Sequence, residues 1–255
     1  MQNRAADTGG RNSNATPAQS PNVVCNLMAK LYQYIIIFSC LTIPHKSMGQ
    51  KQIADTTFLL KELNHSIFID KSKKSKFYNH ISNFRFGTFD RDSYNTSLKF
   101  LKDKGIKLTK NNIGDLPKKW IILKYYKKNF YTYYPSDFYS HFKVSITDTA
   151  FIDYGGEGPM ANKILKYEKI DGNTFSFLLT GIEKSKRKLD VHIIDKQKGI
   201  AIFKELNGDK DKQYYLMIDA TKIKQLPIIV NYCNTQKQSE FDFDEPDFKK
   251  LLKTK

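Results

Sequence analysis

Histidine is the residue type most often used as a metal ligand or general base, and it is scarce in this chain. Beyond residue 49 the histidines are His65, His80, His141 and His192. No two of them have the His-x-His or His-x-x-x-His spacing that brings two imidazoles to one side of a strand or helix. His141 and His192 alternate with apolar residues, so we expect both on the solvent side of strands. The sequence predicts surface histidines and no metal site.

Motifs for nucleophilic catalysis or phosphate binding are missing from the sequence. It contains neither a Gly-x-Ser-x-Gly elbow nor a Gly-x-x-x-x-Gly-Lys loop. The glycine-dense segment 153–159 is predicted to form a wide hairpin loop rather than a phosphate cradle. Asp242, Asp244 and Asp247 flank Pro246 and lack the central glycine of a calcium loop, so helix capping accounts for them. No catalytic residue and no cofactor is predicted, and an enzyme of unfamiliar type ranks third among the hypotheses.

The chain is strongly basic. Forty-two Lys and Arg residues against 26 Asp and Glu residues give a net charge of +16. Such an excess can attract nucleic acid, but lysine-rich runs such as 71–76 fall at predicted turns, where lysines solvate loops. An anionic envelope component or an acidic ligand is therefore the expected partner, with no nucleic acid. The sequence carries no signal for the oligomeric state.

The first 49 residues are predicted to direct export rather than to fold. Residues 1–27 are rich in small and polar residues and are expected to be a disordered extension, with Met28 as an alternative start. Residues 28–49 have a basic start, a short apolar stretch and small residues before Gln50, which is the pattern of a secretory signal peptide. Lipoprotein anchoring at Cys40 is a second route. We therefore expect a periplasmic or extracellular protein, and no apolar run reaches the about 18 residues needed to span a bilayer as a helix.

From Trp120 onward, apolar and polar residues alternate with a period of two. Phe142, Val144 and Ile146 are one example, and similar runs follow as far as residue 218. Because successive side chains of a strand point to opposite faces, each run has one apolar and one solvated face, which is typical of antiparallel sheets. Short turns join the runs, so the sequence predicts a mainly β fold: an antiparallel up-and-down meander closed as a barrel. A two-sheet sandwich is the alternative.

Two segments flank this barrel in the prediction. Residues 50–115 form an N-terminal extension that packs on it, with a short amphipathic helix expected over 53–68 from the spacing of Leu59, Leu63 and Ile67. Residues 116–255 hold the barrel and end in a helix over 248–253, because acidic residues precede this segment and lysines end it.

The opening of the predicted barrel resembles that of the lipocalins. Leu116-Pro117-Lys118-Lys119-Trp120 precedes the strands, and lipocalins begin their first strand with Gly-x-Trp, whose Trp closes the barrel base. Lys118 stands where that glycine would be. The chain also resembles uncharacterised exported proteins of Bacteroidetes-type bacteria, a likeness that implies no activity.

The lipocalin resemblance implies a binding protein that encloses a small apolar or amphipathic molecule. The residues predicted to line its interior and contact the ligand are Trp120, Phe142, Phe175, Phe177 and Tyr214. The same residues could instead form a filled core without a cavity. The chain would then be a cell-envelope protein-interaction module that binds no ligand.

Overall fold

The protein is described by a computed structural model covering residues 55–183, 186–207 and 211–253. The predicted disordered extension, the signal peptide and Cys40 lie outside these residues. The elements are β1 (Thr56–Lys61), β2 (His65–Asp70), α1 (Phe77–Ile81), α2 (Thr88–Asp103), β3 (Lys119–Ile122), β4 (Lys124–Tyr126), β5 (Asn129–Tyr134), β6 (Lys143–Ile146), β7 (Ala150–Gly155), β8 (Gly158–Lys169), β9 (Thr174–Thr180), β10 (Arg187–Asp195), β11 (Ile200–Asn207), β12 (Asp211–Asp219), β13 (Ile228–Cys233) and α3 (Phe248–Lys253).

Eight strands form a closed antiparallel barrel in the order β10-β11-β12-β3-β6-β7-β8-β9. The first and last strands close it, with Trp120 paired to Asp219 and Ile122 to Met217. Closure leaves no free edge, which is why a long meander of half-apolar strands adopts it. The predicted up-and-down barrel is therefore confirmed.

Alternation along the barrel strands separates an inner from an outer apolar layer. On β12, Met217 belongs to the inner cluster, whereas Leu216 and Ile218 belong to an outer one. A period of two is the reason that both layers arise from one strand. The inner cluster is the core of the barrel, and the outer layers attach the remaining elements to it.

A second sheet of five strands, in the order β1-β2-β13-β5-β4, packs outside the barrel. Its strand β13 runs parallel to β5 and contributes Ile228 and Val230 to the outer cluster that contains Leu216. The hairpin of β4 and β5 leaves the barrel between β3 and β6, so the meander is interrupted there. The N-terminal strands β1 and β2 thus share a sheet with strands from beyond residue 116.

The helix predicted over 53–68 is wrong, because this segment is the β1–β2 hairpin. The four-residue spacing of Leu59, Leu63 and Ile67 does not mark a common face. Leu63 lies in the hairpin turn with 97% of its surface exposed, while Ile67 and Ile69 alternate into a buried cluster. From Ile67 onward every second residue of β2 is buried, and this strand pattern is stronger than the helical one, which consists of only three apolar residues.

The longest and the last helix cover the outside of the barrel. Helix α2 packs on β7 and β8 through Leu101, and the Ser97 hydroxyl accepts a hydrogen bond from the Ala161 amide at 2.9 Å. Helix α3 confirms the predicted C-terminal helix, and its Phe248 ring stacks on Tyr214 at 5.1 Å. Among the described residues, every helix is too short or too polar to cross a membrane.

Candidate functional site

The barrel interior is filled by side chains. Trp120 and Phe177 are fully buried, and Phe175 is almost fully buried. The rings pack edge to face, with centroids 5.3 Å apart for Trp120 and Phe203 and 5.5 Å apart for Phe151 and Phe177. Such pairs add to the stabilisation that comes from burial. The Trp120 indole N–H donates to the Pro117 carbonyl at 2.6 Å, which fixes the ring at one end of the barrel.

The five predicted ligand contacts do not all face the interior. Trp120, Phe175 and Phe177 belong to the inner cluster, and Phe142 lies half-buried against it, 5.5 Å from the Tyr215 ring. Tyr214 instead points outward to helix α3, so its predicted inward orientation is wrong. The alternation along β12 is shifted by one residue from the predicted one, so Tyr215 faces the interior in place of Tyr214. A ligand contact by any of these residues remains a prediction.

An ion cluster occupies the end of the barrel opposite Trp120. The Arg187 guanidinium on β10 donates to the Asp153 carboxylate on β7 and, at 3.1 Å, to the Glu205 carboxylate on β11. Strands β7 and β10 are not neighbours, so Arg187 spans the interior. Burial raises the pKa of Asp153, although the nearby Arg187 charge opposes this shift. The interior is thus apolar at one end and closed by buried charges at the other.

An open cleft of about 460 Å³ lies on the outer side of the barrel. Its volume falls in the range of about 300–1,000 Å³ typical of small-molecule sites. Its lining residues come from widely separated parts of the sequence, within 80–85, 89–90, 137–143 and 154–159, together with Lys237. Barrel strands β6 and β7 provide its base, and the N-terminal helical segment provides one wall.

Three aromatic rings in this cleft are open to solvent. The exposed fractions are 62% for Phe89, 41% for Phe138 and 64% for Tyr139. Large apolar side chains at one exposed site are typical of interaction surfaces, since single exposed rings are usually scattered. The cleft therefore differs from the interior in the accessibility of its rings.

Two glycines of the β7–β8 turn allow two of these rings to approach it. A Cβ on Gly156 would lie 2.3 Å from the Tyr139 ring. Gly158 has φ of +87°, and a Cβ there would lie 2.8 Å from the Ser93 hydroxyl and 3.3 Å from Phe89. The hairpin predicted for 153–159 is confirmed, but its loop is not wide, because Gly155 pairs directly with Gly158 across a two-residue turn. The glycines serve close packing of the cleft wall.

The cleft also carries positive charge. The Lys143 ammonium donates to the Asn83 carbonyl at 2.6 Å and lies 5.2 Å from the centre of the Phe84 ring. Burial lowers the pKa of Lys143, and the Asp90 carboxylate opposes that shift. Lys237 pairs with Asp137 at 2.8 Å. The exposed Arg85 side chain forms no ion pair with any residue that the structure describes.

His141 lies at the inner side of the cleft and is only 5% exposed, so its predicted surface position is wrong. Its Nε2 lies 3.1 Å from the Ile81 carbonyl oxygen, which can only accept, so Nε2 carries the hydrogen. Burial lowers the pKa of His141 to about 4, and the charges of Lys143 and Lys124 act in the same direction. The imidazole is therefore neutral near pH 7.

The described ranges contain no group of three His, Cys, Asp or Glu side chains arranged to hold a metal ion. Comparison with protein-family models, with curated proteins and with solved structures gave no match. The cleft combines accessible rings and cations around an open volume, whereas the barrel interior combines packed rings with a buried ion cluster.

Proposed function

We propose that the protein is a non-enzymatic binding protein that holds a small amphipathic ligand in the outer cleft, with the barrel as its scaffold. The observation that carries this proposal is the convergence of three exposed rings, Phe89, Phe138 and Tyr139, beside the cations of the cleft. Exposed rings bury apolar surface only when a partner covers them, so their free energy of burial is available for binding.

A filled scaffold suits this role. Substrates or ligands are commonly held by loops and short segments that a rigid framework positions. The cleft is formed in this way, since the Phe138–Ser140 turn leads directly into barrel strand β6 and the β7–β8 turn joins two barrel strands. A ligand inside the barrel, as the lipocalin resemblance implies, would require side chains such as Phe175 and Phe177 to separate.

Export belongs to the proposal as well. The signal-peptide pattern over 28–49 supports it, and placement outside the cytoplasm would bring the cleft into contact with ligands of the envelope or the surroundings. A cell-envelope interaction module without a ligand is the second candidate. The filled interior favours that candidate, and its partner would then be a protein segment over the same rings.

Native mass spectrometry of the full-length protein purified from its own host tests the proposal. We expect a small-molecule mass on the wild-type protein and its loss from the double variant Phe89→Ala, Tyr139→Ala. The matched control is Ile170→Ala, which removes an exposed apolar side chain from a hairpin turn outside the cleft. This control is expected to retain the bound mass.

Two results would contradict the proposal. A mass that survives in the double variant places the ligand elsewhere. A wild-type protein that carries no small molecule and instead co-purifies with a protein through the same rings supports the interaction module.

A further inference from the structure

We infer that the ligand of this cleft is a planar ring that carries an anionic group, such as an aryl carboxylate. The inference rests on the proposed function and adds the chemical class of the ligand. Three features support it: engaged acids, cations with free hydrogen-bonding capacity, and accessible ring faces.

The acidic side chains of the cleft are already engaged. The Asp137 carboxylate accepts from the Lys237 ammonium at 2.8 Å and from the Tyr139 amide at 3.0 Å. The Asp90 carboxylate accepts from the Gly87 amide at 2.9 Å, at the start of helix α2. Both acids therefore stabilise the walls of the cleft, which makes a cationic ligand a poor fit.

The cations of the cleft have capacity left. A lysine ammonium has three donors, and the hydrogen bond from Lys143 to the Asn83 carbonyl uses one of them. The five donors of the Arg85 guanidinium meet no carboxylate among the described residues. Guanidinium geometry matches a carboxylate in a two-point contact. Because His141 is neutral near pH 7, it contributes no positive charge, and Arg85 and Lys143 are left to pair with an anionic group.

The ring faces determine the shape of the ligand. Phe89 lies against Gly158 and Tyr139 against Gly156, so both rings are held by the turn while more than half of their surface stays accessible. Planar rings stack on such faces with centroid distances of about 4.5–7 Å. A flat apolar ring next to Arg85 and Lys143 would cover the exposed aromatics and place its anionic group at the cations.

Isothermal titration calorimetry of the full chain with three matched probes tests this inference. The probes are 2-naphthoate, its neutral amide 2-naphthamide, and the cationic 2-naphthylmethylammonium. We expect 2-naphthoate to bind about fivefold more tightly than the amide, with the cation weakest. Arg85→Gln is expected to remove that fivefold advantage, so that 2-naphthoate and 2-naphthamide bind the variant with similar affinity. The control variant Lys249→Gln removes an exposed charge outside the cleft and is expected to behave as wild type.

The variants separate failure of the inference from failure of the proposed function. If all three probes bind equally and lose binding in the Phe89→Ala, Tyr139→Ala variant, the cleft binds ligands but the anionic class is wrong. If the ring variant changes the binding of none of them, the cleft is not the site and the proposed function fails too. If no probe binds the wild-type protein, the inferred ligand class is wrong, whereas the host-derived mass still decides the proposed function.

Discussion

The barrel interior and the outer cleft both contain aromatic rings, but the rings differ in burial and therefore in their contribution to stability. In the interior, Trp120 and Phe177 are fully buried and pack against other rings. In the cleft, Phe89 and Tyr139 keep most of their surface in solvent. Full burial of a large apolar side chain stabilises a fold by about 1.5–3 kcal/mol, whereas an exposed ring contributes little. Substitutions should therefore separate stability from binding.

Removal of an interior ring is expected to have the largest effect on stability. Phe177→Ala would leave a cavity among tightly packed neighbours, and we expect the free energy of unfolding to fall by about 3–5 kcal/mol. Phe89→Ala, the matched cleft variant, should change it by less than about 1 kcal/mol. Urea denaturation followed by circular dichroism measures both. A loss under 1 kcal/mol for Phe177→Ala would mean that the interior has spare room.

Removal of the buried cation is the next largest expected effect. Arg187→Met leaves the Asp153 and Glu205 carboxylates without their counter-charge inside the barrel, and we expect a loss of about 3 kcal/mol in urea unfolding. Asp153→Asn should cost less than about 1 kcal/mol, because Arg187 keeps Glu205 and burial already disfavours the Asp153 charge. If the two variants were equally destabilised, Arg187 would not be the group that neutralises both buried carboxylates.

Acidification should change the contributions of His141, in the cleft, and Asp153, in the barrel interior, to the free energy of unfolding in opposite directions. The pKa of His141 is about 4 in the fold and about 6.5 when unfolded. As the pH falls below about 6.5, the unfolded chain binds a proton at His141 before the folded chain does, so the free energy of unfolding decreases. We expect a loss of about 2 kcal/mol between pH 7 and pH 5. His141→Gln should remove this part of the pH dependence, and His80→Gln, at an exposed position, serves as the control.

Asp153 is expected to show the opposite dependence of stability on pH. Burial raises its pKa in the fold, so its ionised form opposes folding at neutral pH. That opposition is relieved as the pH falls through the raised value toward the ordinary one. The stability of the wild type relative to Asp153→Asn should therefore increase on acidification. A relative decrease would contradict the assigned direction of the shift.

The sequence predicted the barrel because eight strands obey a period of two and short turns connect them. The sequence-based predictions were wrong where the alternation of apolar and polar residues is ambiguous or absent. Tyr214 and Tyr215 are adjacent and alike, so the pattern could not tell which one faces inward. His141 precedes β6 and follows a short 3-10 turn, where strand alternation does not apply. The helix expected over 53–68 depended on three leucine and isoleucine positions alone.

The cleft could not be predicted, since its lining comes from parts of the chain that only the tertiary fold brings together. His80, His141 and segment 153–159 stand out in the sequence, but nothing in the sequence indicated that they line one cleft. The glycines of this segment permit ring packing rather than phosphate binding.

A crystal structure of the full chain with 2-naphthoate would show directly where the ligand binds. We expect the naphthyl ring against Phe89 and Tyr139, with its carboxylate at Arg85 and an unchanged barrel interior. A naphthyl ring inside the barrel, between Phe175 and Phe177, would contradict the proposed cleft site.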